Sequence, residues 1–143
     1  MAETGAVDTA LLDLLRADTA LLAVCPDGIQ YGIADPGARR FVLVDRLDHA
    51  VDPDLFGGAA GETFLYLVKA VLPETISRNA REAARLIRAR LDGSDALAAD
   101  GYGLMAPIAE VESLRLTEVD AVNPDRRVQH WGGHYAIVVQ RTN

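Results

Sequence analysis

The sequence predicts an α+β fold, with a mainly antiparallel sheet of about five strands, two main helices and a closing C-terminal β-hairpin. Residues 77–91 carry one apolar stripe at helical spacing. The strand-like segments follow one another without crossover helices, which favours antiparallel pairing. The 143 residues fit a single domain, 1–143, that is long enough for a hydrophobic core.

The helix predicted over residues 77–91 organises the chain. Its stripe combines small and aliphatic residues at i, i+3, i+4, i+7 and i+11: Ala80, Ala83, Ala84, Ile87 and Leu91. The alanines allow close packing on a sheet, and Ile87 and Leu91 are the large anchors. We expect Ser77 to cap the helix and Asp92-Gly93 to end it.

Two shorter helices are predicted near the N-terminus. Asp8 or Thr9 would cap the first, which runs through residue 17. Asp18 or Thr19 would cap a second short turn over residues 20–24. A short strand is then expected at residues 29–33.

The middle of the chain contains two strands that are apolar on both faces. Residues 41–44 predict a central strand whose polar continuation, 45–49, leaves the core. A Gly-rich linker is expected over 51–61, before the longest strand candidate at 63–71.

The last third predicts a long hairpin. Its arms would be residues 108–119 and 127–141, joined by a turn at 123–126, after a possible helical connector at 95–103. A bulge is expected near Glu112-Ser113. Acidic residues of the first arm (Glu110, Glu112, Glu118 and Asp120) would face Arg126, Arg127 and Arg141.

Composition excludes several classes of protein. Half of the residues are hydrophobic and the formal net charge is −7, which argues against wrapping duplex DNA. Cys25 is the only cysteine, so it favours a structural thiol in a reducing compartment. With no signal-peptide pattern and no apolar run of membrane-spanning length, we expect a soluble, cytoplasmic chain.

The motifs do not converge on an active site. His130 and His134 flank Gly132-Gly133 in a strand pattern, which separates them too widely to share a metal. Asp45, Asp48 and His49 are better explained as a solvated strand end than as an acid–base cluster. The segment 57–62 lacks the Lys-Ser/Thr of a phosphate-binding loop. We therefore predict no catalytic, cofactor-binding or metal-binding residues.

A partner interface is the favoured hypothesis for function. It would use the arginine face of the organising helix, together with acidic and apolar residues of the linker: Arg78, Arg81, Arg85, Arg88, Asp52, Asp54, Leu55 and Phe56. Arginine suits interface ion pairs because its planar fork binds carboxylates at two points. A head-to-tail ring would bring this basic face against an acidic one, to which Asp45, Asp48 and Glu62 also contribute.

The order of these features resembles the tail terminator (tail-completion) proteins of long-tailed phages and phage-derived particles. The matching phrases are LLDLLRADTALLAV, the Ile29-Gln30-Tyr31 segment, FVLV, the Gly/Asp-rich loop, TFLYLVKAV, ARLIRARLDG and the final YAIVVQR. They extend from about Ala10 to Arg141.

The resemblance implies a structural virion protein of the tail or neck, assembled in the host cytoplasm. Such proteins form a ring, expected to be a homohexamer, on the head-proximal end of the tail tube. The ring terminates tube growth and joins the tail to the head-side connector or stopper protein. The resemblance implies no enzymatic activity, no cofactor, no membrane, and passage of DNA without sequence-specific binding.

Three alternatives remain open at this point. The chain could be another head–tail neck or connector protein. It could be a small metal-dependent hydrolase that uses Asp45, His49, His130 or His134. It could also be a ligand-binding domain, which a pocket with convergent polar groups would support.

Overall fold

The fold is a sheet with helices packed on one face. The computed structural model describes residues 5–52, 61–120 and 122–142. Within them are three helices, α1 (Ala6–Arg16), α2 (Thr19–Val24) and α3 (Ser77–Leu91), and one 3-10 turn, Glu74–Ile76. The strands are β1 (Ile29–Tyr31), β2 (Phe41–Asp52), β3 (Gly61–Pro73), β4 (Tyr102–Leu104), β5 (Ala109–Val119) and β6 (Arg127–Arg141). The predicted α+β class is confirmed.

The sheet is built around β3 and β6. Its order is β1-β2-β3-β6, and β4 and β5 both pair along the far edge of β6. All pairs are antiparallel except β1 with β2, which is parallel. The segment between β1 and β2 must return to the starting end of β1 for the two strands to run parallel. Asp27 holds the end of this segment, because its carboxylate accepts the backbone N–H groups of Arg39 and Arg40 at 2.8 and 2.9 Å.

The hydrophobic core lies between the sheet and the helices. Alternate residues of β3 (Phe64, Tyr66, Val68, Ala70 and Leu72) join the buried residues of α1 and α3 in one cluster. The predicted stripe of α3 is largely confirmed, since Ala80, Ala83, Ile87 and Leu91 are fully buried and Ala84 is half-buried. None of the described helices is long and apolar enough to cross a membrane.

The helix starts differ from those expected. Gly5 occupies the cap position of α1, and Asp8 lies inside the first turn, where its carboxylate accepts the Gly5 N–H at 3.1 Å. Ile76 occupies the cap position of α3, so Ser77 is the first helical residue and not the cap. The prediction for α2 is confirmed, because Asp18 caps it by accepting the Leu21 N–H at 3.0 Å.

The element count is also corrected. The described residues form the three expected helices but six strands instead of about five, because β4 lies in the segment expected to be a helical connector. A three-residue strand is too short to show a period, and β4 exists through its pairing of Tyr102 with Arg141. The strand β2 does not end where it becomes polar, since its exposed second half pairs with β3 as far as Asp52. Of the expected linker, residues 53–60 lie outside the described residues.

The C-terminal hairpin is confirmed, with its turn closed by a hydrogen bond from the Arg126 N–H to the Asn123 carbonyl. The bulge lies between Glu110 and Glu112, slightly earlier than expected. Of the ion pairs expected across the hairpin, Asp120 does lie near Arg126. The backbone N–H bonds from Val122 and Asn123, followed by the Arg126 charge, lower the pKa of Asp120. Those expected of the three glutamates are wrong, because the register places Glu118 opposite Val128 and Val119 opposite Arg127. The glutamates instead contact Arg88, His134 and His130, while Arg127 and Arg141 contact Glu74 and Glu62.

Two glycines in β6 permit close strand contact. A Cβ at Gly132 would lie 2.1 Å from the Val68 carbonyl oxygen and 2.5 Å from Lys69 Cα. A Cβ at Gly133 would lie 2.7 Å from the Glu112 carbonyl oxygen. The strand therefore runs through this pair without a break.

Candidate interaction site

A cleft of about 410 Å³ opens between α3 and the hairpin strands β5 and β6. Its defining residues are four arginines and two aromatic residues, and we name it the arginine–tryptophan cleft: Arg81, Arg85, Arg88, Arg115, Trp131 and Tyr135. Three of these arginines belong to the face predicted from the sequence. The fold adds Arg115 from β5, directly opposite Trp131 of β6.

Two arginines of the cleft stack on the half-buried indole of Trp131. The guanidinium carbon of Arg115 lies 4.6 Å from the ring centroid, and that of Arg81 lies 5.8 Å from it. Both distances are within the range of cation–π attraction. The indole N–H donates to the Gln129 side-chain oxygen at 2.8 Å, which fixes the ring. Trp131 is therefore an aromatic platform within the sheet, on the strand between β3 and β5.

The other two arginines already have acidic partners. Arg85 donates to both carboxylate oxygens of Glu82, at 2.6 and 3.0 Å. Arg88 lies 3.5 Å from Glu110, which also accepts the Tyr135 hydroxyl at 3.1 Å. Burial, followed by the Glu110 charge, raises the pKa of Tyr135, so this phenol stays a neutral donor. Arg81 and Arg115 form no ion pair with any described carboxylate, and they supply the unneutralised positive charge of the cleft.

The remaining interface residues are more scattered. Arg78 is exposed at the start of α3 and does not line the cleft. Asp52 ends β2 on the exposed half of that strand. Asp54, Leu55 and Phe56 lie outside the described residues, so their predicted role stays a prediction.

The candidate acid–base residues do not converge. His49 contacts Glu62 at 2.8 Å and stacks on Phe64, whereas His130 lies opposite Val71 on β3. Phe64 and Val71 are seven residues apart in one strand, which places the two histidines on opposite faces and roughly 23 Å apart along it. His130 and His134 contact different carboxylates, Glu118 at 3.7 Å and Glu112 at 3.5 Å. No three such side chains of the described residues could hold a metal together.

A second cleft, of about 600 Å³, lies at the turn end of the hairpin. Charged residues of both signs line it, including Arg39, Arg126 and Glu118, and His130 forms part of its wall. Both ring nitrogens of His130 are buried without a hydrogen bond among the described residues, since 3.7 Å to Glu118 is too long for one. Burial and the nearby Lys69 lower the pKa of His130, so the ring is held neutral.

A buried carboxylate with three polar partners was not predicted from the sequence. Asp8 is fully buried and accepts hydrogen bonds from the hydroxyls of Tyr31, at 2.8 Å, and Tyr66. Arg46 lies 3.8 Å from the same carboxylate. Burial and the bond to Asp8 raise the pKa of Tyr31 to about 12. These contacts join α1 to three strands, β1, β2 and β3, so we assign the cluster a structural role. The Asp8 carboxylate is enclosed by them and is not open to a partner.

Among known proteins, the chain matches solved structures only. No protein-family model matches the chain, and no curated protein matches it. Among solved structures, the chain resembles a chain of the virion of a native gene transfer agent (GTA) particle. The TM-score is 0.66 at 23% identity, over 94% of this chain and 95% of that one. At this identity the likeness shows a shared fold, and it extends over nearly the whole of both chains.

Proposed function

We propose that this chain is a structural protein of a phage-like particle, and more specifically a tail terminator. In this proposal it forms a ring, a homohexamer, on the head-proximal end of the tail tube. The ring stops tube growth and binds the head-side connector or stopper protein. It acts without catalysis or a cofactor.

The observation that carries the proposal is the shared fold with a virion chain over 94% of this chain. A match of that coverage includes the sheet, the helices and the closing hairpin together. The tail-terminator role itself rests on the resemblance in the order of sequence features, which spans almost the same residues.

The surface chemistry agrees with an assembly role. The arginine–tryptophan cleft offers positive charge and an aromatic platform, the residue types enriched at protein interfaces. The formal net charge of −7 suits a conduit that lets DNA pass without binding it. The three histidines considered for hydrolysis contact three different carboxylates, so their placement does not favour the enzymatic alternative.

Capture of tail tubes tests the proposal. The purified chain, carrying a terminal tag for gold labelling, is mixed with purified tail tubes of its own particle and viewed by negative-stain microscopy. We expect label at one tube end only. An unrelated acidic protein with the same tag is the control. Label along the whole tube, or none, would contradict the tail-terminator role.

A further inference from the structure

We propose that the arginine–tryptophan cleft of one copy binds the acidic outer half of β2, residues 45–52, of a second copy of this chain. Repeated head to tail, this contact would link successive subunits. The inference rests on the proposed function in one respect, that the row of linked subunits closes into a ring. It names the two surfaces that meet.

The cleft suits a carboxylate-bearing strand. Arg81 and Arg115 keep their charge unneutralised by the described carboxylates, and each guanidinium lies over the Trp131 ring. Both arginines are exposed, and a guanidinium held against an aromatic ring is positioned to bind a carboxylate at two points. The cleft therefore selects an acidic partner with some apolar surface for the indole.

The outer half of β2 has this chemistry. The short strand β1 pairs only with residues Val42, Leu43 and Val44, so β2 from Asp45 onward is an edge of the sheet. Asp45 and Asp48 form no ion pair with any described cation. The basic neighbours are occupied, because Arg46 contacts Asp8 and His49 contacts Glu62.

Apolar side chains accompany these acids. Leu47 is 45% exposed and Val51 is 63% exposed, which is high for aliphatic residues in a strand. They would supply the surface that packs against an aromatic ring. Pairing of the β5 edge of one copy with the β2 edge of another is disfavoured. The strand β5 carries three glutamates and one arginine, so it would repel the acidic half of β2.

The topology prevents one copy from making this contact with itself. The cleft lies over β5 and β6, whereas β2 lies beyond β3 on the other side of the sheet. Each copy therefore has one donor surface and one acceptor surface that point to different neighbours. Such a heterologous contact propagates and gives a closed ring when the rotation between copies is suitable.

Charge exchange tests the inference. The variants are Arg81→Glu/Arg115→Glu and Asp45→Lys/Asp48→Lys, and self-association is measured by sedimentation over a concentration series at low salt. Each double variant alone should raise the dissociation constant at least tenfold. An equimolar mixture should restore association, because each reversed surface then meets its reversed counterpart. The control, Arg39→Glu/Arg126→Glu, reverses two charges at the other cleft and should associate like the parent chain.

Circular dichroism confirms that each variant is folded before it is compared. The inference is overturned if Arg81→Glu/Arg115→Glu associates like the parent, if the mixture fails to restore association, or if the parent stays monomeric to millimolar concentration. Tube capture separates the two proposals. If the parent chain does not bind tube ends but shows the charge-exchange pattern, only the proposed function is contradicted. If it binds tube ends normally without that pattern, only this inference is contradicted.

Discussion

Gly132 is the glycine at which substitution by alanine should destabilise the fold most. It sits in β6 opposite Lys69, at the centre of the sheet. An alanine Cβ there would lie 2.1 Å from the Val68 carbonyl oxygen and 2.5 Å from Lys69 Cα. Both atoms belong to the backbone of β3, which is itself held between β2 and β6. The contact can be relieved only by moving central strands apart.

We expect Gly132→Ala to lower the free energy of unfolding by about 3 kcal/mol, the upper part of the usual range for overpacking. For a chain of this size that corresponds to a fall of about 10 °C in the melting temperature. The measurement is urea unfolding followed by circular dichroism, with the midpoint and slope compared with those of the parent chain.

Gly103→Ala is the matched control, because its Cβ would lie 3.6 Å from the nearest atom, a methyl carbon of Thr142. That is ordinary contact, so we expect a change of no more than about 0.5 kcal/mol, since the restricted unfolded chain partly offsets any crowding. Equal unfolding midpoints for the Gly132 and Gly103 variants would refute the close approach of β3 and β6.

Three further predictions concern buried polar groups. Asp8→Ala leaves the hydroxyls of buried Tyr66 and half-buried Tyr31 without their acceptor and should lower the free energy of unfolding by about 2–5 kcal/mol, measured in urea. A loss below about 1 kcal/mol would show that the cluster is not stabilising. Burial raises the pKa of Cys25 to about 12, so a thiol reagent at pH 8 should label it only as the chain unfolds; rapid labelling of the folded chain would contradict its burial. The pKa of His130 is lowered in the folded state, so the unfolded chain binds the extra proton and stability should decline as the pH falls below about 6.5. His130→Leu should remove that decline, and a parent chain whose urea midpoint is unchanged between pH 7.5 and 5 would oppose the assignment.

Periodic segments were the most predictable from sequence. The stripe of α3 depends on one repeated spacing, and its burial is largely confirmed. Short or non-periodic features were not predictable in the same way. The strand β4 has only three residues, and the parallel pairing of β1 depends on a loop held by Asp27.

Side-chain partners were the least predictable. Glu110 was expected to face arginines across the hairpin, but the bulge at Val111 places it beside α3 and Arg88. Asp8 was interpreted as a cap because its position relative to the first leucines suits one, while its tyrosine partners lie 23 and 58 residues away in sequence. Arg115 joins the arginine–tryptophan cleft through strand register alone, which no local pattern encodes.

The central claim, that this chain ends growth of a tail tube, predicts a defect that can be measured as length. The test is to delete the coding sequence in the organism that makes the particle and to measure tube lengths by electron microscopy, with the chain resupplied from a second locus as the control. We expect tubes of irregular, extended length that do not join heads, and restoration of one uniform length on resupply. Intact particles with tails of normal length would contradict the claim.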